Sequence, residues 1–299
     1  MTKTLWTKEQ ERDFFLKSLE RARPEKLFYR SPDGRFYAYW SKAYKGPRTT
    51  LQSRNYFIGD YTDKWCADLL EEIAEEVGGY AVKGVACEEI GLTRKSPADV
   101  AICRTSQIIQ VPENLLLIVE VKMSVVWIWE LRGERRGEWN LVPIGDYSTH
   151  RGTPSLLRSD TMLKAIGKGI NIRVSSLRAS KIPIIIIGNT PITKAYHAKV
   201  DNLKNLGIIQ GFWSLNPSPL DGGRNTIKST PQEGFHRLDS LAELRDVALK
   251  LLGEEDEFFS GMKTLDELGR IVQMANREET YEKKAQKFLE LIRSGAGTQ

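Results

Sequence analysis

The spacing of apolar residues predicts alternating helices and strands along most of the chain. Residues 61–77 place Trp65, Leu69 and Ile73 on one helical face, and Gly78 follows that helix. Further helices are predicted at residues 9–22, 155–172 and 193–206. Short apolar runs typical of strands occupy residues 80–87, 99–103, 115–122, 182–187 and 208–213. This order predicts an α/β fold in which helices flank a mixed central sheet.

The two ends of the chain have a different pattern. Residues 27–44 are rich in aromatic side chains and are broken by a Ser-Pro-Asp-Gly sequence, which predicts two short strands around a turn. Residues 216–232 are rich in Pro, Gly, Asn and Ser and predict a loop. Three helices are predicted after this loop, at residues 241–252, 264–276 and 279–293.

These patterns divide the chain into three parts. We expect an N-terminal part to pack on a central core, and the core to carry a basic, Trp-rich insertion. The C-terminal loop and helices are candidates for dimerisation or scaffolding. The boundaries are 1–58 for the N-terminal part, 59–215 for the core, 124–152 for the insertion and 216–299 for the C-terminal region.

Composition and charge narrow the class of protein. The chain has 299 residues, 40% of them hydrophobic, and no apolar run approaches the roughly 18 residues of a membrane span. The polar start of the sequence lacks a signal-peptide pattern, so a cytoplasmic location is expected. Cys66, Cys87 and Cys103 have no C-x-x-C spacing, which predicts buried free thiols. The net charge of +5 permits a polyanionic partner, and basic residues concentrate at 132–178.

Charged residues stand at the ends of two predicted strands. Asp99 opens one strand, and Glu120 and Lys122 close the next after an aliphatic stretch. Residues two apart in a strand point to the same face, so Glu120 and Lys122 project together. If the two strands form a hairpin, Asp99 lies beside Glu120. Two carboxylates ~4 Å apart repel by about 4 kcal/mol at an effective dielectric near 20, which a hard cation such as Mg²⁺ relieves. At least one carboxyl pKa should then be raised in the metal-free protein.

An exposed ion pair is the alternative interpretation of this pattern. Charged residues are common, and many strands end in Glu or Lys. However, burying the charges of Glu120 and Lys122 directly after aliphatic residues costs desolvation free energy, which is unfavourable unless the charges are paired or have a functional role. The context therefore favours a functional site.

The element order, together with Pro97-x-Asp99 and Glu120-x-Lys122, resembles the PD-(D/E)xK nuclease superfamily, which includes many type II restriction endonucleases. The family core has a helix, a three-strand meander, a second helix and a further strand, and residues 61–187 follow that order. In the family, proline directly precedes the aspartate, whereas here Ala98 intervenes.

The resemblance implies roles for individual residues. Asp99, Glu120 and Val121 are the expected Mg²⁺ ligands, and Lys122 is expected to assist the attacking water. Asp63, in the sequence Gly-x-x-x-Asp, matches an acid that the family carries on its first helix. Glu71 and Glu72 are the substitutes for Asp63.

Two basic groups are candidates for contacts with DNA. In the insertion, three tryptophans (Trp127, Trp129 and Trp139) flank Arg132, Arg135 and Arg136. They can contact phosphates and bases, or they can form a hairpin whose tryptophans pack on the core and whose arginines face solvent. The second group lies at and within the next helix and consists of His150, Arg151, Arg158 and Lys164.

The expected activity is that of a type II restriction endonuclease, which makes sequence-specific double-strand cuts in DNA by Mg²⁺-dependent phosphodiester hydrolysis. A homodimer is expected if the target is palindromic. Two alternatives remain open. One is a nuclease that recognises branched or nicked DNA in repair or recombination, and the other is a catalytically inactive nuclease-like fold that only binds nucleic acid.

Overall fold

A computed structural model describes residues 3–46, 51–133, 137–223, 226–253 and 263–294. Eight α-helices lie within these ranges: α1 (Lys8–Leu19), α2 (Pro24–Leu27), α3 (Gln52–Glu76), α4 (Ser159–Ser175), α5 (His197–Asn205), α6 (Leu241–Gly253), α7 (Leu265–Ala275) and α8 (Tyr281–Ser294). None of the helices in this part of the chain is both long enough and apolar enough to cross a membrane.

The same ranges contain ten strands: β1 (Tyr29–Arg30), β2 (Phe36–Tyr37), β3 (Tyr80–Val85), β4 (Ala98–Cys103), β5 (Leu115–Val121), β6 (Ile128–Arg132), β7 (Asn140–Gly145), β8 (Ile184–Gly188), β9 (Gly211–Ser214) and β10 (Phe235–Arg237). The helices, strands and their order confirm the predicted α/β class with a helical C-terminal region. The sequence did not predict the short strand β10.

The central sheet has six strands in the order β10-β9-β8-β5-β4-β3. Strands β3, β4 and β5 form an antiparallel meander, whereas β8, β9 and β10 pair in parallel beyond β5. The sheet is therefore mixed, as predicted. A strand that lies between two others and has helices on both faces is apolar throughout, which explains the isoleucine run of β8.

Both faces of this sheet are buried. Ile185 and Ile187 belong to the hydrophobic cluster that includes α3, whereas Ile184 and Ile186 belong to the cluster that includes α4 and α5. All four are fully buried. Burial of one such side chain stabilises the fold by about 1.5–3 kcal/mol, so the sheet interior strongly fixes the strand register.

Helix α3 begins at Gln52, earlier than the predicted start at residue 61, and so continues across the expected boundary at 58–59. Buried side chains anchor its added turns. Ile58 joins the core, and the guanidinium of Arg54 lies over the rings of Tyr29 and Tyr39. These are tertiary contacts, which a helical periodicity does not reveal.

A second, smaller sheet has the strand order β1-β2-β6-β7 and is antiparallel. It joins the N-terminal strands to the hairpin of the insertion. Trp127 and Trp129 are buried, and Trp139 packs partly buried against the same core. The structure therefore shows the predicted hairpin, in which the rings of Trp127 and Trp129 lie in the core and Trp139 packs against it.

The buried carboxylate of Glu11 connects α1 to this hairpin. Its oxygens accept hydrogen bonds from the backbone N–H groups of Val126 (2.8 Å) and Trp127 (3.0 Å). They also accept from the indoles of Trp6 (3.3 Å) and Trp129 (2.9 Å). Burial raises the pKa of Glu11 to about 7, while these four hydrogen bonds favour the charged form.

The C-terminal helices pack in two places. Leu244 and Ala248 of α6 belong to the main core beside α3. Helices α7 and α8 form a pair around a small cluster of their own, which contains Ile271, Leu291 and Ile292.

Candidate active site

The antiparallel pairing of β4 with β5 brings the predicted carboxylates together. Val100 is the partner of Val119, and continuing this register by one residue places Asp99 opposite Glu120. Asp99 Oδ2 accepts a hydrogen bond from the backbone N–H of Val121 at 2.8 Å. The hairpin that was assumed from the sequence therefore forms.

Lys122 lies between the two carboxylates. Its Nζ is 2.9 Å from Asp99 Oδ2 and 3.0 Å from Glu120 Oε2, and it donates a hydrogen bond to each. The Lys122 backbone N–H donates to the carbonyl of Ile187 on β8 at 2.7 Å. The ammonium thus occupies the position between two carboxylates at which a cation is favoured.

Glu120 is fully buried and contacts a second lysine. Lys168 Nζ on α4 lies 2.5 Å from Glu120 Oε1 and also donates to the carbonyl of Pro97 at 2.5 Å. This contact is an ion pair, and Oε1 has no access to solvent. Sequence inspection missed Lys168. The available signal was a single lysine flanked by Gly167 and Gly169 on an otherwise apolar stretch of the helix.

Burial and neighbouring charges shift the pKa values at this site. Burial raises the pKa of Glu120, against the opposing effect of the Lys122 charge. Burial alone would lower the pKa of Lys122, but the charges of Glu120 and Asp99 outweigh it and raise that pKa. The raised Glu120 value agrees with the expected raised carboxyl pKa, although burial contributes more than like-charge repulsion.

Asp63 of α3 is electrostatically coupled to this cluster. Burial, together with the negative charge of Asp99, raises its pKa to about 7. The two substitute acids have other partners: Glu71 accepts a hydrogen bond from the backbone of Ala81 at 3.1 Å, and Glu72 pairs with Lys3. Among these three acids, Asp63 is the one whose charge interacts with Asp99, Glu120 and Lys122.

The oxygen donors at these strand ends suit a hard divalent cation. Asp99 and Glu120 supply carboxylate oxygens, and Val121, whose side chain has no donor, can supply only its carbonyl. Glu120 Oε1 is buried and pairs with the Lys168 ammonium. Among the described residues, no group of three or more His, Cys, Asp or Glu side chains is spaced to hold a metal ion. The two carboxylates and the Val121 carbonyl suit Mg²⁺, and in this structure the ammonium groups of Lys122 and Lys168 pair with the carboxylates.

A polar network supports the segment that follows Lys122. Ser155 donates its hydroxyl to the Lys122 carbonyl at 2.6 Å, and its own N–H donates to Ser124 Oγ at 2.7 Å. The side chain of Asn189, buried at the end of β8, accepts from the Ser124 N–H and donates to the Ser124 carbonyl. Nothing in the sequence pattern indicated Ser155 or Asn189.

The basic residues predicted to contact DNA have different partners in the structure. Arg132 pairs with Glu130 through Nε (2.8 Å) and Nη2 (2.6 Å), and Arg151 Nε donates to the carbonyl of Lys42. Arg158 and Lys164 both pair with Asp160 on the exposed side of α4. Arg135 and Arg136 lie outside the described residues.

His150 does not belong to an exposed basic group. It is buried, its ring stacks on Tyr39 with centroids 4.0 Å apart, and its Nε2 lies 3.1 Å from the Val126 carbonyl. Burial lowers its pKa to about 4. His150 is therefore neutral at physiological pH, and the prediction that it adds positive charge to the second group is wrong.

The three cysteines are buried free thiols, as predicted. Comparisons with protein-family models, with curated proteins and with solved structures find no match for this chain.

Proposed function

We propose that this chain is a Mg²⁺-dependent endonuclease that cuts double-stranded DNA. The observation that carries the proposal is the position of Lys122, whose Nζ contacts both Asp99 and Glu120 at the ends of two adjacent strands. A lysine between two carboxylates, beside a raised-pKa aspartate, is an arrangement suited to metal-assisted hydrolysis of a phosphodiester.

Asp99, Glu120 and the Val121 carbonyl would hold the cation. A bound Mg²⁺ supplies a Lewis acid that polarises the phosphate and lowers the pKa of water. Lys122 orients the attacking water and offsets the negative charge that develops on the phosphate. Asp63 accepts a proton at the edge of the site, since its pKa lies near 7.

Within this class we propose a type II restriction endonuclease of the PD-(D/E)xK superfamily. Two features support this. The motifs at Asp99 and at Glu120-x-Lys122 resemble those of the superfamily, and the elements α3, β3-β4-β5, α4 and β8 follow the order of its core. Exposed Arg158 directly precedes α4, and exposed Lys164 lies on α4, the helix that also carries Lys168, so both can bind phosphates. Two copies would supply the two sites that a double-strand cut requires, so we propose a cytoplasmic homodimer.

Lys122→Met tests the proposal when cleavage and binding are measured on the same DNA. We expect cleavage to fall by roughly 10²- to 10⁴-fold, because the group that orients water is lost, while DNA affinity is largely kept. Lys287→Met is the matched control, since it removes a lysine from an exposed Lys–Glu pair on α8. Unchanged function in Lys122→Met would contradict catalysis and favour a binding module.

The form of the substrate separates the two nuclease classes. A restriction enzyme cuts plain duplex at one sequence and yields discrete fragments. Preferential cleavage of nicked or branched DNA, whatever its sequence, would instead identify a repair or recombination nuclease.

A further inference from the structure

Two ammonium groups from different elements hold the buried Glu120 carboxylate. Lys122, two residues away on the same chain segment, contacts Oε2 at 3.0 Å. Lys168 comes from α4 and contacts Oε1 at 2.5 Å. The Glu120 side chain has no exposed surface, so both charges act on it with little screening by solvent.

The two lysines differ in how they are bound. Lys122 donates hydrogen bonds to Asp99 and to Glu120. Lys168 is shared between two partners: it forms an ion pair with Glu120 Oε1 and donates a hydrogen bond to the Pro97 carbonyl. Lys168 can therefore leave Oε1 and still keep a hydrogen-bond partner.

The position of Lys168 also permits movement. Its side chain keeps 19% of its surface exposed, so solvent can solvate the ammonium after it leaves Glu120. A divalent cation that binds Oε1 would meet the Lys168 charge at short range, and the two positive charges would repel each other.

We propose that Lys168 regulates cation loading of this site. Its ammonium neutralises Glu120 in the metal-free protein and competes with a divalent cation for Oε1, so it sets the cation concentration at which the site fills. This inference rests on the proposed function, because it takes the strand ends as the metal site. It adds a regulatory role for a residue outside the Asp99, Glu120 and Lys122 set.

Titration of the metal-free protein with Mn²⁺ alone, followed by calorimetry, tests this role without measuring cleavage. We expect Lys168→Met to bind Mn²⁺ roughly tenfold more tightly than the unmodified chain, because the competing charge is gone. Lys168→Arg keeps the charge and should stay close to the unmodified chain. Lys287→Met, on α8, should bind Mn²⁺ as the unmodified chain does.

Thermal melting provides a second measurement on the same variants. Without Lys168, the buried Glu120 charge is less well neutralised, so Lys168→Met should melt at a lower temperature when metal-free. Mn²⁺ should then raise its melting temperature by more than it raises that of the unmodified chain. If Lys168→Met does not fold without metal, Lys168→Gln, whose amide can still donate to Pro97, takes its place in both measurements.

Each outcome decides between distinct explanations. A folded Lys168→Met or Lys168→Gln with unchanged or weaker Mn²⁺ affinity, beside an unmodified chain that binds Mn²⁺, overturns the regulatory role alone. If no form binds Mn²⁺, both this inference and the proposed metal-dependent activity fail. If Lys168→Met binds Mn²⁺ and the unmodified chain does not, Lys168 competes so strongly for Glu120 Oε1 that it excludes the cation, which would support the proposal.

Discussion

Ser155 donates its hydroxyl to the main-chain carbonyl of Lys122 at 2.6 Å, although Ser155 itself has a φ of 48°. A residue other than glycine in this left-handed region costs of order 1 kcal/mol, so surrounding contacts must hold it there. The backbone N–H of Asn189 donates to the same hydroxyl at 3.1 Å. Ser155 thereby ties the end of β8 to the residue that follows β5.

Ser155→Ala should slow cleavage without weakening DNA binding. Loss of the hydroxyl frees the Lys122 carbonyl, and a small displacement of Lys122 lowers kcat by roughly tenfold while KM stays the same. Stability should fall by only about 1 kcal/mol. Ser175→Ala, which removes a hydroxyl that donates to the Asn171 carbonyl on exposed α4, is the matched control. Wild-type kcat in Ser155→Ala would show that the contact does not position Lys122.

Asp63 should make the cleavage rate depend on pH. Its pKa of about 7 means that the carboxyl loses its proton near neutrality, so the rate should rise with pH through 7 if the deprotonated form acts. Steady-state rates between pH 5.5 and 8.5 measure this. Asp63→Asn should lack that inflection, whereas an inflection that persists in Asp63→Asn must belong to another group.

Asp63 should also make the free energy of unfolding depend on pH. This free energy should fall as pH rises, whereas the cleavage rate should rise. Its folded pKa lies above the ordinary value of 3.8, so between 3.8 and about 7 the folded chain keeps a proton that the unfolded chain has lost. Stability is therefore highest below this window and falls as pH rises through it. Glu11 shifts in the same direction, to about 7, so only the difference between the unmodified chain and Asp63→Asn isolates Asp63. Urea unfolding at several pH values gives that difference.

Glu11→Ala should destabilise the fold strongly. It leaves two backbone N–H groups and two indole N–H groups without their buried acceptor, at a cost of about 3–5 kcal/mol in the free energy of unfolding. Urea denaturation followed by circular dichroism measures this cost. Glu9→Ala, on the exposed side of the same helix, should change it by less than about 0.5 kcal/mol. A similar loss in both variants would refute the role of Glu11.

Sequence periodicity was sufficient for five of the six strands of the central sheet and for three side chains of the candidate site. Strands β5 and β8 are buried on both faces of the sheet, so each is a continuous aliphatic run. Such a run can be recognised as a strand from the sequence alone. Asp99, Glu120 and Lys122 sit at strand ends, where the pairing of neighbouring strands brings them together.

The residues that the sequence did not reveal act through distant contacts. Lys168 reaches Glu120 only because α4 packs across the sheet, and Glu11 meets Trp127 across 116 positions of sequence. For the same reason the sequence left two interpretations of the insertion open, since its tryptophans belong to a core shared with α1 and β2. Such contacts depend on tertiary packing, and no local spacing encodes them.

Arg158 and Lys164 should contribute to DNA binding through charge alone. The double variant Arg158→Ala/Lys164→Ala should bind duplex DNA more weakly at low salt, and the slope of log K against log salt should fall by about 2. Fluorescence anisotropy at several salt concentrations measures both quantities. Lys283→Ala/Lys287→Ala, which removes two lysines from α8, is the charge-matched control. An unchanged slope in the first variant would place the DNA elsewhere.

Digestion of a long DNA of known sequence tests the central claim most directly. The purified chain is incubated with this DNA in the presence of Mg²⁺ and, separately, of EDTA. We expect discrete fragments with Mg²⁺ alone, and intact DNA with EDTA or with Lys122→Met. DNA that stays intact with a folded, unmodified chain and every divalent cation tried would contradict the assignment of Asp99, Glu120 and Lys122 as a nuclease centre.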